Sequence, residues 1–100
     1  MLLPSEGLEI SGSETMSDYF QIFFTDGSIL NIFNHFVFEN ASASALKGRI
    51  LSGIVMSEAD SALVLSLDEG RILVDMRPEA YQAPEALGLY RPGGLPVIWN

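Results

Sequence analysis

The strongest constraint on the fold is the Asp-Gly pair at residues 26 and 27, which stands between two runs of aromatic and β-branched residues. The run before it reads YFQIFF and the run after it reads ILNIFNHFVF. Such residues suit the pleated, half-buried surface of a strand. Because Gly27 takes a positive φ at no steric cost, the pattern predicts a β-hairpin with a type I′ turn. We therefore interpret Asp26 as a turn residue rather than a general acid, which would need a desolvated carboxyl group.

The remaining segments extend this hairpin into a β-rich domain. A second turn of the same kind lies in LDEGRILV, and GRILSGIVMSE between the two turns reads as a strand that is apolar on both faces. ALGLYR and PVIWN read as short strands around PGGLP, and Pro78, Pro84 and Pro92 exclude a long helix. ENASASALKG at residues 39–48 is a loop or a single helical turn ending at Gly48, and Pro78 can begin a short turn. The sequence therefore predicts a mainly β fold with little helix: a single-domain antiparallel meander sheet, sandwich or half-open barrel of six or seven short strands.

Length and composition agree with one packed domain. The chain has 100 residues, 48% of them hydrophobic, and no cysteine. It is long enough for one core and too short for two. We assign the domain to residues 17–100 and treat residues 1–16 as an N-terminal segment that need not be fully ordered. These first residues do not resemble a secretory signal and no apolar run approaches the length of a membrane span, so we expect a cytoplasmic protein.

The charge narrows the kinds of partner. Thirteen acidic against five basic side chains give a net charge of -8. This balance opposes binding to nucleic acid and to anionic membranes and favours a basic protein partner. The carboxylates expected to bind such a partner lie in the second half of the chain: Glu58, Asp60, Asp68, Glu69, Asp75 and Glu79. The alternative is a solvated edge whose charges prevent unwanted strand pairing.

The sequence offers no set of residues for catalysis. Its one histidine, His35, has neither a cysteine nor a second histidine to work with, and no serine stands in a Gly-x-Ser-x-Gly motif. We expect His35 to be a structural strand residue. The prediction is a protein that is not an enzyme and that uses no cofactor and no metal.

The first hairpin is unusual because both of its faces are apolar. Phe20 and Ile22 alternate with Tyr19 and Phe23, and Phe33 extends the second face on the return strand. A sheet that is apolar on both faces must be covered twice. We therefore expect Tyr19, Phe23 and Phe33 to support self-association as a homodimer or to contact a hydrophobic partner. A third interpretation is a small-ligand barrel whose aromatic residues line a pocket.

Four segments suggest a family. In FFTDGSILNI, LSLDEGRILVD, PEAL and PVIW the chain resembles the small cytosolic immunity proteins of bacterial polymorphic-toxin and contact-dependent growth inhibition systems. The resemblance implies a non-catalytic inhibitor that binds a cognate toxin domain, often a basic nuclease, through a complementary acidic surface. The resemblance does not assign any individual binding residue in this chain. The alternative from another class is a structural module that assembles with copies of itself.

Overall fold

A computed structural model describes residues 7–100, and within this range the chain forms nine strands and two short 3-10 helices. The strands are β1 (Leu8–Thr15), β2 (Phe20–Phe24), β3 (Ile29–Ile32), β4 (Phe36–Glu39), β5 (Ile50–Ser57), β6 (Ala62–Leu67), β7 (Arg71–Asp75), β8 (Leu87–Tyr90) and β9 (Val97–Trp99). The 3-10 helices are Ala43–Ala45 and Pro78–Ala80, at the two places where the sequence allowed a helical turn. The mainly β class is confirmed. No helix of the described range is long and apolar enough to cross a membrane.

The strand count is nine rather than six or seven, for two reasons. The apolar run after the first turn is broken, because β3 ends at Ile32 and the chain leaves it to begin β4 at Phe36. Two hydrogen bonds hold the chain at this break, because the N–H groups of Phe33 and Asn34 both donate to the Ala86 carbonyl. In addition, Leu8–Thr15 forms β1 inside the N-terminal segment that the sequence set apart, whereas residues 1–6 lie outside the described residues.

All neighbouring strands pair antiparallel, in the order β4-β7-β6-β5-β1-β2-β3-β8-β9. β1 joins the two halves, because Leu8 and Glu9 pair with β5 whereas its later residues pair with β2. The register shifts between Ile10 and Gly12 at this junction. A bulge bends and twists its strand, so the sheet folds over at β1. We call β4-β7-β6-β5 the first half-sheet and β2-β3-β8-β9 the second half-sheet.

One core lies inside the folded sheet. Phe20 in β2 contacts Phe36 and Phe38 in β4, with ring centroids 5.2 and 6.2 Å apart, although β4 is at the far edge of the other half-sheet. The fully enclosed side chains come from seven strands and from the segment before β5: Leu8, Ile10, Phe20, Ile22, Phe24, Leu30, Ile32, Leu46, Leu51, Ile54, Leu63, Leu65, Leu67, Ile72, Val74, Leu87 and Leu89. The two edge strands add half-buried aromatic and aliphatic side chains to it. Burial of this apolar surface is the main stabilising contribution to the fold.

Both predicted hairpins are present, but the first turn is not of type I′. The Phe24 N–H donates to the Ser28 carbonyl at 3.0 Å and the Gly27 N–H donates to the Phe24 carbonyl at 3.1 Å, which leaves a three-residue loop. Gly27 has φ +90, whereas Asp26 does not have a positive φ. A type I′ turn needs two such residues, and a three-residue loop ending in a left-handed glycine is the next common hairpin. The second hairpin is one residue tighter, because the Leu67 N–H donates to the Gly70 carbonyl at 3.1 Å and leaves Asp68 and Glu69 as the loop. Gly70, which follows this loop, also has a positive φ of +82.

β5, predicted as a strand that is apolar on both faces, contains a bulge. Its register shifts between Leu51 and Gly53, so one additional residue separates the two buried positions Leu51 and Ile54. Beyond Ile54 the side chains of Val55 and Met56 are 62% and 46% exposed. The bulge therefore changes which residues face the core, and β5 leaves apolar side chains outside.

Candidate protein-binding surface

An apolar row crosses the outer face of the first half-sheet. Strand pairing places Val37 opposite Leu73, Leu73 opposite Val64, and Val64 opposite Val55. Directly paired residues project from the same face of a sheet, so these four side chains lie side by side across four strands. Val37 at one end is 48% exposed and Val55 at the other is 62% exposed. The row extends over about 14 Å at ordinary strand spacing.

A groove of about 520 Å³ lies at the β4 end of this row. We call it the outer groove, and its lining residues are His35, Val37, Glu39, Asp60, Ser61, Ala62, Arg71, Leu73, Asp75 and Arg77. Val37, Leu73 and Ala62 form its apolar part. The remaining lining residues are mostly charged. The outer groove is therefore an apolar strip with polar borders, like the core and rim of a protein interface.

Ion pairs hold both borders of the outer groove. On one side the Arg71 Nε donates to Glu39 Oε1 at 2.6 Å. On the other side the Arg77 Nη2 donates to Asp75 Oδ2 at 2.6 Å, and the Arg77 backbone N–H donates to Asp75 Oδ1 at 3.0 Å. The Arg77 side chain and its backbone N–H lower the pKa of Asp75 to about 2. The Asp75 carboxylate in turn raises the pKa of Arg77. Asp75 is therefore ionised throughout the physiological pH range.

The arginines of the protein are neutralised by its own carboxylates. Arg49 pairs with Glu69 at 2.8 Å and Arg91 lies 3.6 Å from Asp26, in addition to the two pairs at the groove. Lys47 is the one basic side chain without a carboxylate within 4.0 Å in the described range. Since thirteen acidic groups face five basic ones, most carboxylates keep an uncompensated charge. The surface of the protein is therefore negative, and its arginines are already paired with carboxylates.

The structure separates the six carboxylates of the sequence prediction into two groups. Asp60 and Asp75 line the outer groove, Glu58 is in the same turn as Asp60, and Glu79 lies 3.8 Å from Arg77. Within the described residues Glu58 and Asp60 have no basic partner, and Asp60 accepts a hydrogen bond from the Ser57 hydroxyl at 2.9 Å. Asp60 and Asp75 therefore lie in one end of the groove, and Glu58 and Glu79 are close to them in the chain without lining it.

The other two carboxylates, Asp68 and Glu69, lie at the opposite end of the β6–β7 hairpin. Six residues of β6 separate them from Asp60 at the other end of the groove, which is about 20 Å of extended chain. The near end of the groove, at Glu39 and Arg71, begins two residues after Glu69. Asp68 Oδ1 accepts hydrogen bonds from the backbone N–H of Ile50 and of Glu69, and Glu69 pairs with Arg49. Both side chains therefore hold the turn against β5. Asp26 has a similar role, because the Ser28 N–H donates to its Oδ1 at 2.9 Å and lowers its pKa.

The three residues expected to support self-association lie on the second half-sheet. Tyr19 and Phe33 are in ring contact, with centroids 5.3 Å apart, and both are half-buried. Phe23 is on the outer face of β2, opposite Ile29 and likewise half-buried. All three side chains thus lie away from the outer groove, and the polar pair Gln21 and Asn31 separates Phe23 from Tyr19 and Phe33.

His35 lies at the β3–β4 crossing, where its carbonyl accepts the Asp75 N–H at 2.8 Å. Its side chain is exposed and borders the outer groove. Across residues 7–100 no three histidine, aspartate or glutamate side chains are grouped as metal ligands. The residues that the sequence did not identify are Val37, Leu73, Val64 and Val55, because a row across strands exists only once their register is known.

Comparisons with protein-family models, with curated proteins and with solved structures found no match to this chain.

Proposed function

We propose that this protein is a non-catalytic binding protein that takes a basic protein partner into its outer groove. The observation that carries the proposal is the exposed apolar row between charged borders, at the end of the sheet where Glu58 and Asp60 lack basic partners. Desolvation of Val37 and Leu73 would supply affinity, because apolar contacts at the centre of an interface dominate its energetics. The carboxylates would attract and orient the partner.

The specific form of the proposal is an immunity protein that neutralises a cognate bacterial toxin domain in the cytoplasm of the producing cell. It is supported by the small size, the net charge of -8 and the pairing of every arginine with a carboxylate. The negative surface would repel nucleic acid and attract the basic residues of a nuclease domain. Occlusion of the toxin requires no chemistry from the binding protein.

The test is capture of the partner from a lysate of the protein's own host, at low and moderate salt. The wild-type bait is compared with the double variant Glu58→Lys/Asp60→Lys and with the matched control Glu9→Lys/Glu14→Lys. The control makes the same charge change on exposed β1 residues, away from the groove. We expect one larger protein with a basic domain, held by the wild type and the control and lost from the groove variant.

Growth rescue then decides between a toxin and another basic partner. Expression of the captured basic domain alone should arrest growth, and coexpression of the wild-type protein should restore it. Association of the purified pair should slow roughly threefold to tenfold in the groove variant and should weaken with added salt. A captured protein that is neither basic nor toxic would contradict the immunity form of the proposal.

A second candidate function is self-assembly through the second half-sheet, favoured by the half-buried outer aromatic residues Tyr19, Phe23 and Phe33. It predicts a dimer in light scattering at micromolar concentration and a monomer after Phe23→Asp or Phe33→Asp. A wild-type monomer at that concentration would contradict it.

A further inference from the structure

β4 is an edge strand of the sheet, and only one of its two sides is paired. On the paired side the Asp75 N–H donates to the His35 carbonyl at 2.8 Å. In an antiparallel pair every second residue bonds to the partner strand. Val37 and Glu39 therefore also bond to β7, opposite Leu73 and Arg71.

The main-chain groups of Phe36 and Phe38 consequently point to the open side of β4. The far side of β7 agrees with this register, because the Met76 N–H donates to the Ser61 carbonyl at 2.9 Å and the even-numbered residues of β7 thus face β6. Within residues 7–100 no hydrogen bond reaches the N–H or C=O of Phe36 or Phe38. The edge therefore offers two donors and two acceptors, in two pairs about 7 Å apart along the strand.

The sequence of β4 does not protect this edge. Proteins commonly block an edge strand with lysine, proline or a bulge. β4 reads FVFE, without lysine or proline, and it pairs with β7 without a register shift. The other edge strand, β9, begins directly after Pro96. The free edge of β4 is complementary to an extended chain, since another strand presents donors and acceptors at this spacing.

A groove borders β4 on each of its two faces. On the outer face Val37 lines the outer groove. On the inner face a cleft of about 340 Å³ lies between β4 and the second half-sheet, lined by Phe36 and Phe38 from β4 and by Phe20 and Ile32 from β2 and β3. We call it the inner cleft. A strand added to β4 would direct alternate side chains into the inner cleft and towards the outer groove.

The charges on the two faces favour a basic segment. Asp60 in the outer groove and Asp18 in the inner cleft are exposed, and within the described residues neither has a basic partner. Neither lysine nor arginine lines the inner cleft, and the arginines of the outer groove already pair with Glu39 and Asp75. Apolar side chains suit the aromatic lining of the cleft, and basic side chains suit the two unpaired carboxylates.

We propose that the free edge of β4 receives an extended basic segment of the protein partner as an added β-strand. The inference rests on the proposed function and specifies which kind of partner segment is recognised. The segment forms main-chain hydrogen bonds with Phe36 and Phe38. Its apolar side chains pack in the inner cleft, and its basic side chains lie near Asp60 and Asp18. The main-chain bonds supply affinity and the alternate side chains supply specificity.

The test uses a defined probe, so that it does not depend on capture of the partner. The probe is an acetylated and amidated heptapeptide of alternating lysine and valine, and hydrogen exchange of the 15N-labelled protein is followed by NMR at neutral pH. In the free protein the N–H groups of Phe36 and Phe38 should exchange at least about tenfold faster than those of Val37 and Glu39, which bond to β7. Saturation with the peptide should slow exchange at Phe36 and Phe38 at least about tenfold and leave Val37 and Glu39 unchanged.

Control peptides and variants separate the main chain from the charge. The same peptide methylated at every backbone nitrogen keeps its side chains and charges but has no N–H donor, and it should not protect Phe36 or Phe38. The peptide with glutamate in place of lysine should bind at least about tenfold more weakly. Asp60→Lys should weaken binding of the lysine peptide about twofold to fivefold, whereas Glu9→Lys, at an exposed β1 position that lines neither groove, should leave it unchanged.

The proposal is overturned if the lysine peptide gives no protection at Phe36 and Phe38 up to about 10 mM, beyond the range of weak binding, or if the methylated peptide protects them equally. Protection in the free protein that grows with protein concentration would assign the edge to a second copy and would also overturn it. Capture of a basic partner that leaves exchange at Phe36 and Phe38 unchanged would contradict this inference alone. Capture of a partner that is not basic would contradict the proposed function, whatever the peptide does.

Discussion

Substitution of Gly70 by alanine tests how closely the edge strand β4 approaches the second hairpin. Gly70 has φ +82, and an added Cβ would lie 2.7 Å from the Glu39 carbonyl oxygen and 2.7 Å from the carbonyl carbon of Asn40. Both atoms are backbone at the end of β4, so no side chain can rotate away. β4 or the turn would have to move. Because β4 carries Val37, that movement would also disturb the outer groove.

The magnitude can be worked out against a matched glycine. Gly48 has φ +89 and would place a Cβ with nothing within 4 Å, so Gly48→Ala measures the cost of the left-handed backbone alone, about 1–2 kcal/mol. Gly70→Ala adds an overpacking cost of about 1–3 kcal/mol, for a total of about 2–5 kcal/mol. This is a large fraction of the roughly 5–15 kcal/mol that stabilises a typical domain.

The assay is urea unfolding of the two variants and the wild type, followed by far-UV circular dichroism. We expect Gly70→Ala to be less stable than Gly48→Ala by about 1–3 kcal/mol, or by roughly 5–20 °C in melting temperature for a domain of this size. Equal destabilisation by the two substitutions would refute the close approach of Gly70 to β4.

Three further predictions concern single side chains. Arg77→Met should raise the pKa of Asp75 from about 2 towards its ordinary value of 3.8, as measured in a carboxyl NMR titration. Because the pKa of Asp75 is lower in the folded protein, the pair stabilises the fold above the ordinary pKa, and this stabilisation is lost as the pH falls through about 2. Leu65→Ala should cost about 2–5 kcal/mol in chemical unfolding because Leu65 is fully buried, whereas Val55→Ala on the exposed end of the apolar row should change stability by about 0.5 kcal/mol or less. Ser28→Ala should change stability by no more than about 1 kcal/mol, since the buried Ser28 hydroxyl makes no well-formed hydrogen bond and only a secondary interaction with the Asp26 carboxylate; a larger loss of stability would contradict that.

The parts of the fold that could be predicted from the sequence are those fixed by local chemistry. Gly27 and Gly70 stand at the two hairpin turns because each turn needs a residue with positive φ. Pro78 begins a 3-10 turn because its φ is already suitable. Alternation also groups Phe20, Ile22 and Phe24 on one face of β2, but it does not say which face is buried, because the face of Tyr19 and Phe23 is apolar as well. Such signals need only a few neighbouring residues.

The arrangement of the strands depends on longer-range features that the sequence does not display. The crossing at Asn34 moves β4 to the far edge of the sheet, and the bulges in β1 and β5 change which side chains face the core. The apolar row on the outer face is a product of that register. The sequence analysis also grouped Asp60 with Asp68. In the structure Asp60 precedes β6 and Asp68 follows it, so the two side chains lie at opposite ends of this strand.

The most direct test of the central claim is the affinity of the captured partner for two matched variants, Val37→Asp and Phe23→Asp. Each places a charge on an outer apolar position, the first in the outer groove and the second on the other half-sheet. We predict that Val37→Asp weakens binding at least about 30-fold, as loss of an interface hot spot does, and that Phe23→Asp leaves it unchanged. Loss of binding with Phe23→Asp and full binding with Val37→Asp would place the interface on the other half-sheet and contradict the account.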